Sequence, residues 1–165
     1  MADFSQLVQV ESRGLVAAVT AIVGDPHRAE EIVQEAFERC YRRWRRVSKL
    51  DRPGAWARRV AINEAISVTR RTSSERRAVA RLGGLSGGTE AAPDPFDGIG
   101  DDRVWAEVRS LPRDQAVAIA LRYGADLGID EIAETMEVSA SAVKSLLHRA
   151  RASLRESLAL QHHVE

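Results

Sequence analysis

Residues 128–154 have the sequence GIDEIAETMEVSASAVKSLLHRARASL, and their spacing decides the fold of the whole chain. Apolar residues recur at helical intervals on both sides of a short polar interruption, which predicts a helix, a tight turn and a second helix. Ser139 and Ser141 are both candidate N-caps of the second helix, because a hydroxyl oxygen accepts from a free backbone N–H. The order of apolar positions is that of a helix-turn-helix, whose DNA-binding form lays its second helix in the major groove.

The charge pattern of this segment favours the DNA-binding form over a plain helical hairpin with a solvated basic face. Residues 126–137 contain five acidic side chains and no basic one, whereas residues 138–155 contain four basic side chains and no acidic one. Phosphates therefore attract the second helix and repel the first. The side chains expected to reach base edges or phosphates are Ser141, Lys144, Ser145, His148, Arg149 and Arg151.

Glu137 breaks a local rule of the motif. The turn between the two helices favours a positive φ, and glycine is the residue that usually occupies this position. A non-glycine residue in the left-handed conformation costs roughly 1 kcal/mol. We expect the packing around the turn to offset this strain.

Composition bounds the possible classes of protein. A chain of 165 residues forms one domain or two small helical ones. Net charge is zero, but residues 1–71 contain 13 basic and 9 acidic side chains, whereas residues 83–102 contain five acidic and no basic ones. Cys40 is the only cysteine, so no internal disulfide forms, which suits a reducing cytosol. We expect no signal peptide and no membrane insertion, because the longest weakly polar run, residues 15–23, is short.

The first half of the chain contains three predicted helices, at residues 3–23, 27–46 and 53–71. Gly24, Asp25 and Pro26 separate the first two, with Asp25 as an N-cap and proline in the first turn. The second helix has an apolar stripe that includes Cys40, and an exposed acidic side that carries Glu31, Gln34 and Glu35. Acids at its start and arginines at its end also suit the helix dipole, so the acidic side alone does not establish a docking face.

The third helix has a basic, polar side. Trp56 and three aliphatic residues can face the core, whereas Arg58, Arg59, Asn63, Arg70 and Arg71 cannot all be buried and so line another face. Arginines with an amide and a nearby aromatic ring suit single-stranded nucleic acid, in which bases stack and phosphates bind guanidinium groups. A solvated basic surface is an equally good explanation when this helix is considered alone.

The rest of the chain contains a linker and four more helices. Residues 72–82 are polar and basic, and they either extend the third helix or fray. Residues 83–102, GGLSGGTEAAPDPFDGIGDD, are rich in glycine, proline and acid, which predicts a flexible acidic linker. Residues 103–125 form a helical pair broken near Pro112, and the helix-turn-helix follows. The tail ends near His162 and His163, a pair too small for a metal site, and a frayed terminus is expected. No strand pattern competes, so the expected fold is all-α.

Three motifs, in order, resemble the extracytoplasmic-function sigma factors of bacterial RNA polymerase, which belong to the sigma-70 family. The motifs are AEEIVQEAFERCYRRW at 29–44, RPGAWARRVAINEA at 52–65, and LPRDQAVAIALRYGADLGIDEIAETMEVSASAVKSLLHRARASLR at 111–155. The resemblance implies two small helical domains: region 2 at residues 1–71 and region 4 at residues 103–160, joined by residues 72–102. It covers nearly the whole chain except the linker. In this family the linker passes through the RNA exit path of the polymerase.

The resemblance also implies partners and roles. Asp25, Glu31, Gln34 and Glu35 would dock on the β′ clamp of core RNA polymerase. The loop at residues 48–52 and the helix with Trp56, Arg58, Arg59, Asn63, Arg70 and Arg71 would capture a flipped base of the promoter −10 element. The second helix of the helix-turn-helix would read the −35 element as duplex. A sigma factor works in the cytoplasm without a cofactor, leaves the chemistry to the polymerase, and is commonly held by a separate anti-sigma factor.

Three departures from the family pattern concern region 4: Glu137 in the turn, Asp114 followed by Gln115, and His148 at a position that is often aromatic or aliphatic. They bear on how −35 DNA is read. Another function also fits the helix-turn-helix, namely a transcriptional regulator that binds a palindromic duplex as a dimer. A helical enzyme is the third possibility, but no nucleophile–base pair, carboxylate dyad or metal cluster stands out.

Overall fold

All regular structure is helical in the computed structural model, which describes residues 3–81 and 102–162. The first domain contains α1 (Phe4–Val23), α2 (Pro26–Arg42), α3 (Trp44–Val47) and α4 (Pro53–Arg81). The second contains α5 (Asp102–Ser110), α6 (Arg113–Ile119), α7 (Ile129–Met136) and α8 (Ala140–His162), and α6 continues into a π-helical turn, Ala120–Gly124. The predicted all-α class and the predicted order of helices are confirmed.

The predicted caps form at two helix starts. Asp25 accepts hydrogen bonds from the backbone N–H groups of His27 and Arg28 at 3.0 and 3.3 Å, with Pro26 in the first turn of α2. Before it, Gly24 ends α1 in the left-handed conformation, with φ of 77°. Of the two candidate N-caps of α8, Ser139 forms the cap: its hydroxyl accepts a hydrogen bond from Ala142 N–H at 3.0 Å, whereas Ser141 lies inside the helix.

Three element boundaries differ from the prediction. The second predicted helix stops at Arg42 and restarts at Trp44, where the indole lies edge-on to Phe4 with ring centroids 5.4 Å apart. Helix α4 continues through residues 72–81, which lie in the linker by the expected domain bounds but for which the sequence left helix extension and fraying open. No glycine or proline occurs there to end the helix. Helix α8 extends to His162 instead of fraying earlier. Residues 82–101 of the predicted linker, and His163, lie outside the described residues.

The first domain packs α1, α2 and α4 around one apolar core. Cys40 is fully buried there, which matches the prediction of a small core residue. Burial raises the pKa of its thiol to about 11. The other large side chains fully enclosed in this domain are Leu15, Val19, Ile32 and Val47.

The second domain packs α7 and α8 against α5 and α6. Its fully enclosed side chains are Val108, Leu121, Ile132, Val143 and Leu147, which include the apolar positions that predicted the helix-turn-helix. The packing therefore fixes which side of α8 faces inward, and leaves the opposite side free.

The two domains lie directly against each other along α1. A Cβ atom built at Gly14 would lie 3.3 Å from the carbonyl oxygen of Ala125, and one built at Gly124 would lie 3.2 Å from the backbone nitrogen of Ala18. Both distances are shorter than ordinary van der Waals contact. The two glycines therefore allow α1 to approach the π-helical turn closely, and the sequence patterns gave no indication of this contact.

Helix α1 is long and apolar enough to span a membrane by length and composition alone. However, its apolar side, including Leu15 and Val19, is buried in the protein core, and Glu11 and Arg13 interrupt its middle. The core helix of a compact protein meets the same criteria, and the packing of α1 agrees with that explanation.

Burial along α8 predicts how two similar substitutions differ in stability. Leu147→Ala, at a side chain only 1% exposed, should lower the free energy of unfolding by about 2–5 kcal/mol, because it removes methyl groups and leaves a cavity. Leu160→Ala, in the same helix but 66% exposed, should change it by less than about 0.5 kcal/mol. Urea unfolding followed by circular dichroism measures both. Equal losses would contradict the described packing.

Burial of Cys40 predicts slow thiol chemistry. In native protein at pH 8, Ellman's reagent should react with Cys40 far more slowly than in protein unfolded by urea, because the thiolate form is suppressed and inaccessible. Since the folded-state pKa is raised above the unfolded value, this group should favour the unfolded state only as the pH rises above about 9. Equal reaction rates in the two states would show that the site is open.

Candidate nucleic-acid interface and the interdomain latch

One side of α8 presents an exposed, basic and polar surface. Ser141, Lys144, Ser145, His148 and Arg149 are all exposed, while Val143, Leu147 and Ala150 face the core. The exposed residues follow the i, i+3, i+4, i+7 spacing of one helix face, so they point in one direction. The structure thus brings together five of the six residues predicted to contact duplex DNA.

Arg151 is the exception among these six residues. It is half-buried, and its Nε donates a hydrogen bond to the hydroxyl of Tyr123 at 2.9 Å. Its guanidinium carbon also lies 5.7 Å from the centre of the Tyr123 ring. Arg151 therefore lies at the edge of this face, seven residues after Lys144, and already has a partner within its own domain.

The turn of the helix-turn-helix has the strained backbone expected from the sequence. Glu137 adopts φ of 58° and ψ of 43°, and its N–H donates to the carbonyl oxygen of Ala133. Asp126, on the other side of α7, is the second non-glycine residue with positive φ within the described ranges. Glycine would fit either position without the cost of roughly 1 kcal/mol.

The predicted single-strand surface on α4 is only partly exposed. Asn63, Arg70 and Arg71 are exposed, and Arg71 forms an ion pair with Glu64 at 3.1 Å. Trp56 is half-buried against the core. These positions form a continuous side of α4, as the sequence suggested.

Arg58 differs from the prediction that it lines an open face, because its side chain is buried and only 5% exposed. It follows Ala55 and precedes Ile62 and Ala65 at the spacing of the inward-facing side of α4, so its position in the stripe already indicated burial. Its NH1 lies 2.6 Å from a carboxylate oxygen of Glu11 on α1. This pair satisfies a charge that could not be buried alone.

Three arginines of the first domain contact α7 and the following turn in the second. Arg58 Nε donates to the hydroxyl of Thr135 at 3.0 Å, and Arg59 NH2 donates to the carbonyl oxygen of Glu134 at 2.9 Å. Two ion pairs accompany them, Arg52 to Glu134 at 3.0 Å and Arg59 to Glu137 at 3.2 Å. We call these six residues, Arg52, Arg58, Arg59, Glu134, Thr135 and Glu137, the interdomain latch.

The interdomain latch is polar and incompletely satisfied. Arg59 Nε and Glu134 Oε2 are buried without a hydrogen-bond partner. Each such atom costs about 1–3 kcal/mol, whereas a partly exposed ion pair contributes about 0.2–1 kcal/mol. Together with the two hydrogen bonds donated by Arg58 and Arg59, the ion pairs are of about the same size as this cost, so the latch contributes little net stability.

The acidic side of α2 faces away from the core, as predicted. Glu31, Gln34 and Glu35 are exposed, and the two carboxylates pair only within the helix, with Arg28 at 2.8 Å and Arg39 at 3.0 Å. Asp25 is exposed at the start of the same helix, where it acts as the N-cap. Beside this face, α1 and α2 enclose an apolar groove of about 760 Å³, lined by Phe4, Val8, Val33, Phe37 and Tyr41 among others.

Sequence patterns missed the second-domain side of the latch. Glu134 and Glu137 belong to an acidic segment that the sequence treats only as a surface repelled by DNA, and Thr135 gives no motif signal. Glu11 likewise gives no motif signal in the sequence. Pairing between residues so far apart in the chain depends on how helices and domains pack, which no local pattern encodes. Within the described residues, no cluster of three ligating side chains could hold a metal ion.

The fold and these surfaces define a class: a two-domain helical protein with a DNA-reading helix-turn-helix in one domain. Family models agree with both halves, since residues 7–75 match "Sigma-70 region 2" and residues 101–154 match "Sigma-70, region 4". The chain belongs to the sigma-70 family of RNA polymerase sigma factors, in the extracytoplasmic-function group.

Individual relatives match over nearly the full chain. An RNA polymerase sigma-E factor of Streptomyces antibioticus is 30% identical over 158 residues, which cover 94% of this chain and 84% of the relative. The ECF RNA polymerase sigma factor SigW of Bacillus subtilis is 27% identical, with 94% and 88% covered. The fold resembles that of the sigma factor RpoE of Bartonella quintana, solved with the anti-sigma factor NepR, with a TM-score of 0.73, 21% identity, and 96% and 98% covered. The family does not favour the alternative of a dimeric regulator.

The buried ion pair predicts strong coupling between two helices of the first domain. Replacing Arg58 alone by Ala, or Glu11 alone by Ala, should cost about 3–5 kcal/mol, because each change leaves the other charge buried without its partner. The double variant should cost clearly less than the sum of the two single losses. A double-mutant cycle by urea unfolding measures this coupling. Additive losses would mean that the two charges do not interact in solution.

Proposed function

We propose that this protein binds core RNA polymerase and directs it to specific promoters, with the two domains contacting the −10 and −35 elements. The observation that supports this most is the match of both halves, in order, to the two conserved regions of sigma factors, together with the exposed basic face of α8. The protein itself catalyses no reaction, since polymerase supplies the chemistry, and it needs no cofactor. It works where the polymerase is, in the cytoplasm.

The exposed face of α8 reads the −35 element as duplex. Ser141, Lys144, Ser145, His148 and Arg149 project together and lie on a helix that the motif geometry places in the major groove. Lysine and arginine supply phosphate contacts and hydrogen bonds to guanine, whereas serine and histidine offer further polar contacts to base edges. We leave Arg151 out of this set, because it is half-buried and its guanidinium is bonded to Tyr123.

The α4 side of the first domain captures the melted −10 strand. Asn63, Arg70 and Arg71 offer an amide and two guanidinium groups on an exposed surface, with Trp56 close by. Extruding a base from the duplex costs a few kcal/mol, so this surface has to hold the single strand through stacking and phosphate contacts. Arg59 extends the same surface only when the second domain does not occupy it, whereas Arg58 faces the inside of its own domain, where it pairs with Glu11.

The acidic face of α2 docks on the β′ clamp of the polymerase. Asp25, Glu31, Gln34 and Glu35 form an exposed polar surface, and the adjacent groove offers apolar contact area. An interface with an apolar centre and a polar rim is the usual arrangement for stable protein partners. A separate anti-sigma factor is the expected inhibitory partner.

Run-off transcription tests this function directly. Purified protein added to core polymerase should produce discrete transcripts from fragmented genomic DNA of the source organism, and core alone should not. The start sites should share upstream sequence at two positions. Transcripts that do not depend on the added protein would contradict the proposal.

Loss of α8 contacts should weaken duplex binding while polymerase binding remains. Lys144→Ala or Arg149→Ala should weaken binding of a mapped promoter duplex by roughly 1–3 kcal/mol if a base contact is lost, and loss of a phosphate contact should reduce the salt slope by about 1. Arg151→Ala is the matched control and should have a smaller effect, since Tyr123 holds that side chain. Fluorescence anisotropy at several salt concentrations measures this. An equal loss for Arg151→Ala would refute the assignment of the reading face.

Substitutions on α2 should weaken polymerase binding while binding of duplex DNA remains. Glu31→Arg combined with Gln34→Ala should weaken core polymerase binding at least tenfold, because it reverses the charge of the docking surface, while binding of promoter duplex by the free protein stays unchanged. Asp130→Arg, on an exposed position of α7, is the control for charge reversal elsewhere. Surface-immobilised core polymerase provides the measurement. If both variant sets lost both activities while remaining folded, the division of roles would be wrong.

A further inference from the structure

A basic cleft lies between the C-terminal half of α4 and the start of α6, and α1 and α5 complete its walls. Its volume is about 450 Å³. Four arginines line its rim, two from each domain, and they are Arg70, Arg77, Arg109 and Arg113. Arg70 also belongs to the α4 surface proposed for the −10 strand, but the other three have no role in the proposed function. Contacts with promoter DNA and polymerase therefore do not explain this cleft.

The protein does not neutralise these four guanidinium groups with carboxylates. Among the residues that the structure describes, no acidic side chain lines the cleft and no ion pair forms with its arginines. Other exposed arginines of the first domain do pair, as Arg28 does with Glu31 at 2.8 Å and Arg71 with Glu64 at 3.1 Å. Four like charges around one cleft create a positive potential that favours an anion there.

Packing holds the guanidinium of Arg109 at the cleft. Gly24 ends α1 beside it, and a Cβ atom built at this glycine would lie 3.2 Å from Arg109 Nε. Because glycine has no side chain, the guanidinium can lie against the end of α1. Partial burial lowers the pKa of Arg109, while the carboxylate of Asp102 acts in the opposite direction without forming an ion pair. Arg109 therefore presents charged donors that no carboxylate in the described part of the chain occupies.

The base of the cleft is apolar, whereas its rim is polar. Ile22 and Val117 are buried, and Ile66 and Leu111 are half-buried, so these four side chains lie deeper than the exposed arginines. Three exposed hydroxyl side chains of α4 also line the cleft: Thr69, Ser73 and Ser74. Guanidinium and hydroxyl groups are donors that bind phosphate, and an apolar surface suits a planar ring.

We propose that this cleft binds a small nucleotide, with its phosphates among the four arginines and its base on the apolar side chains. The volume of the cleft is in the range of small-ligand sites, which combine an apolar lining with a few convergent polar groups. A nucleotide carries phosphates and a planar base in one molecule, so it matches both parts of the site. This inference goes beyond the proposed function, because it adds a ligand that is neither promoter DNA nor polymerase.

Calorimetric titration of the full chain with ADP, pyrophosphate and adenosine tests the class of ligand. ADP carries the phosphates and the base together, whereas each of the other two compounds carries only one part. ADP should bind to a single site on each chain, at least roughly tenfold more tightly than either fragment. Pyrophosphate binding as tight as that of ADP would overturn the assignment to a nucleotide, and so would the absence of saturable ADP binding.

Two double variants with the same loss of charge locate the site. Arg77→Gln with Arg113→Gln removes one exposed cleft guanidinium from each domain, and it should weaken ADP binding at least roughly tenfold. Arg76→Gln with Arg155→Gln removes one exposed guanidinium from each domain outside the cleft, and it should bind ADP as wild type does. Equal losses in the two double variants would mean that general positive charge attracts ADP, and would refute the site.

Chemical protection shows where the bound nucleotide lies. At an ADP concentration about ten times the dissociation constant, phenylglyoxal labelling of Arg109 and Arg113 should slow roughly tenfold, because only about a tenth of the sites are then free. Labelling of Arg155 should stay unchanged. Mass spectrometry of the digested protein measures all three sites. Protection of Arg155 to the same extent would contradict binding in the cleft.

A short single-stranded oligonucleotide distinguishes a nucleotide site from a further DNA contact. In anisotropy measurements, Arg77→Gln with Arg113→Gln should weaken oligonucleotide binding by a smaller factor than it weakens ADP binding. The reverse order would assign these arginines to DNA and overturn the proposal. Binding of core polymerase by the wild-type chain does not depend on these results, so failure of the nucleotide site would leave the proposed sigma function standing.

Discussion

The buried guanidinium of Arg58 connects three helices from two domains, and the arrangement of the molecule depends on it. A charge with 5% exposure is stable only with partners on each side, which Glu11 on α1 and Thr135 on α7 provide. The contact to Glu11 fixes α4 on α1 within the first domain. The contact to Thr135 then positions the second domain, together with the close approach of α1 to the π-helical turn at Gly124.

This arrangement divides the surface of the protein into open and covered parts. The basic face of α8 and the acidic face of α2 are both exposed, so the proposed contacts with duplex DNA and with a protein partner are not blocked by the packing of the domains. The N-terminal part of the α4 surface faces the second domain, whereas Asn63, Arg70 and Arg71 lie outside the contact between the domains. A sigma factor must bind duplex and single-stranded DNA at separate surfaces. In this chain the surface proposed for duplex DNA is fully exposed, whereas the surface proposed for single-stranded DNA is partly covered by the second domain.

Local features were predictable from the sequence because local physics determines them. The apolar periodicity predicted the helices, and Asp25 and Ser139 were among the predicted N-caps. Glu137 was correctly expected in a turn with positive φ. The break at Arg43 was missed, and the sequence left open whether α4 extends beyond residue 71, since helix ends depend on small differences between propensity and packing. The burial of Arg58 was detectable from its spacing to Ala55 and Ile62, but its positive charge argued for exposure. The latch itself could not be predicted, because it depends on side chains brought together by domain packing.

Association with the polymerase is the central claim, and size-exclusion chromatography of the purified protein with bacterial core RNA polymerase tests it most directly. The account predicts stoichiometric co-elution with core polymerase, with the unbound protein running as a monomer. Absence of association, together with a stable dimer that binds duplex DNA, would contradict it and would leave the acidic side of α2 as a consequence of the helix dipole alone.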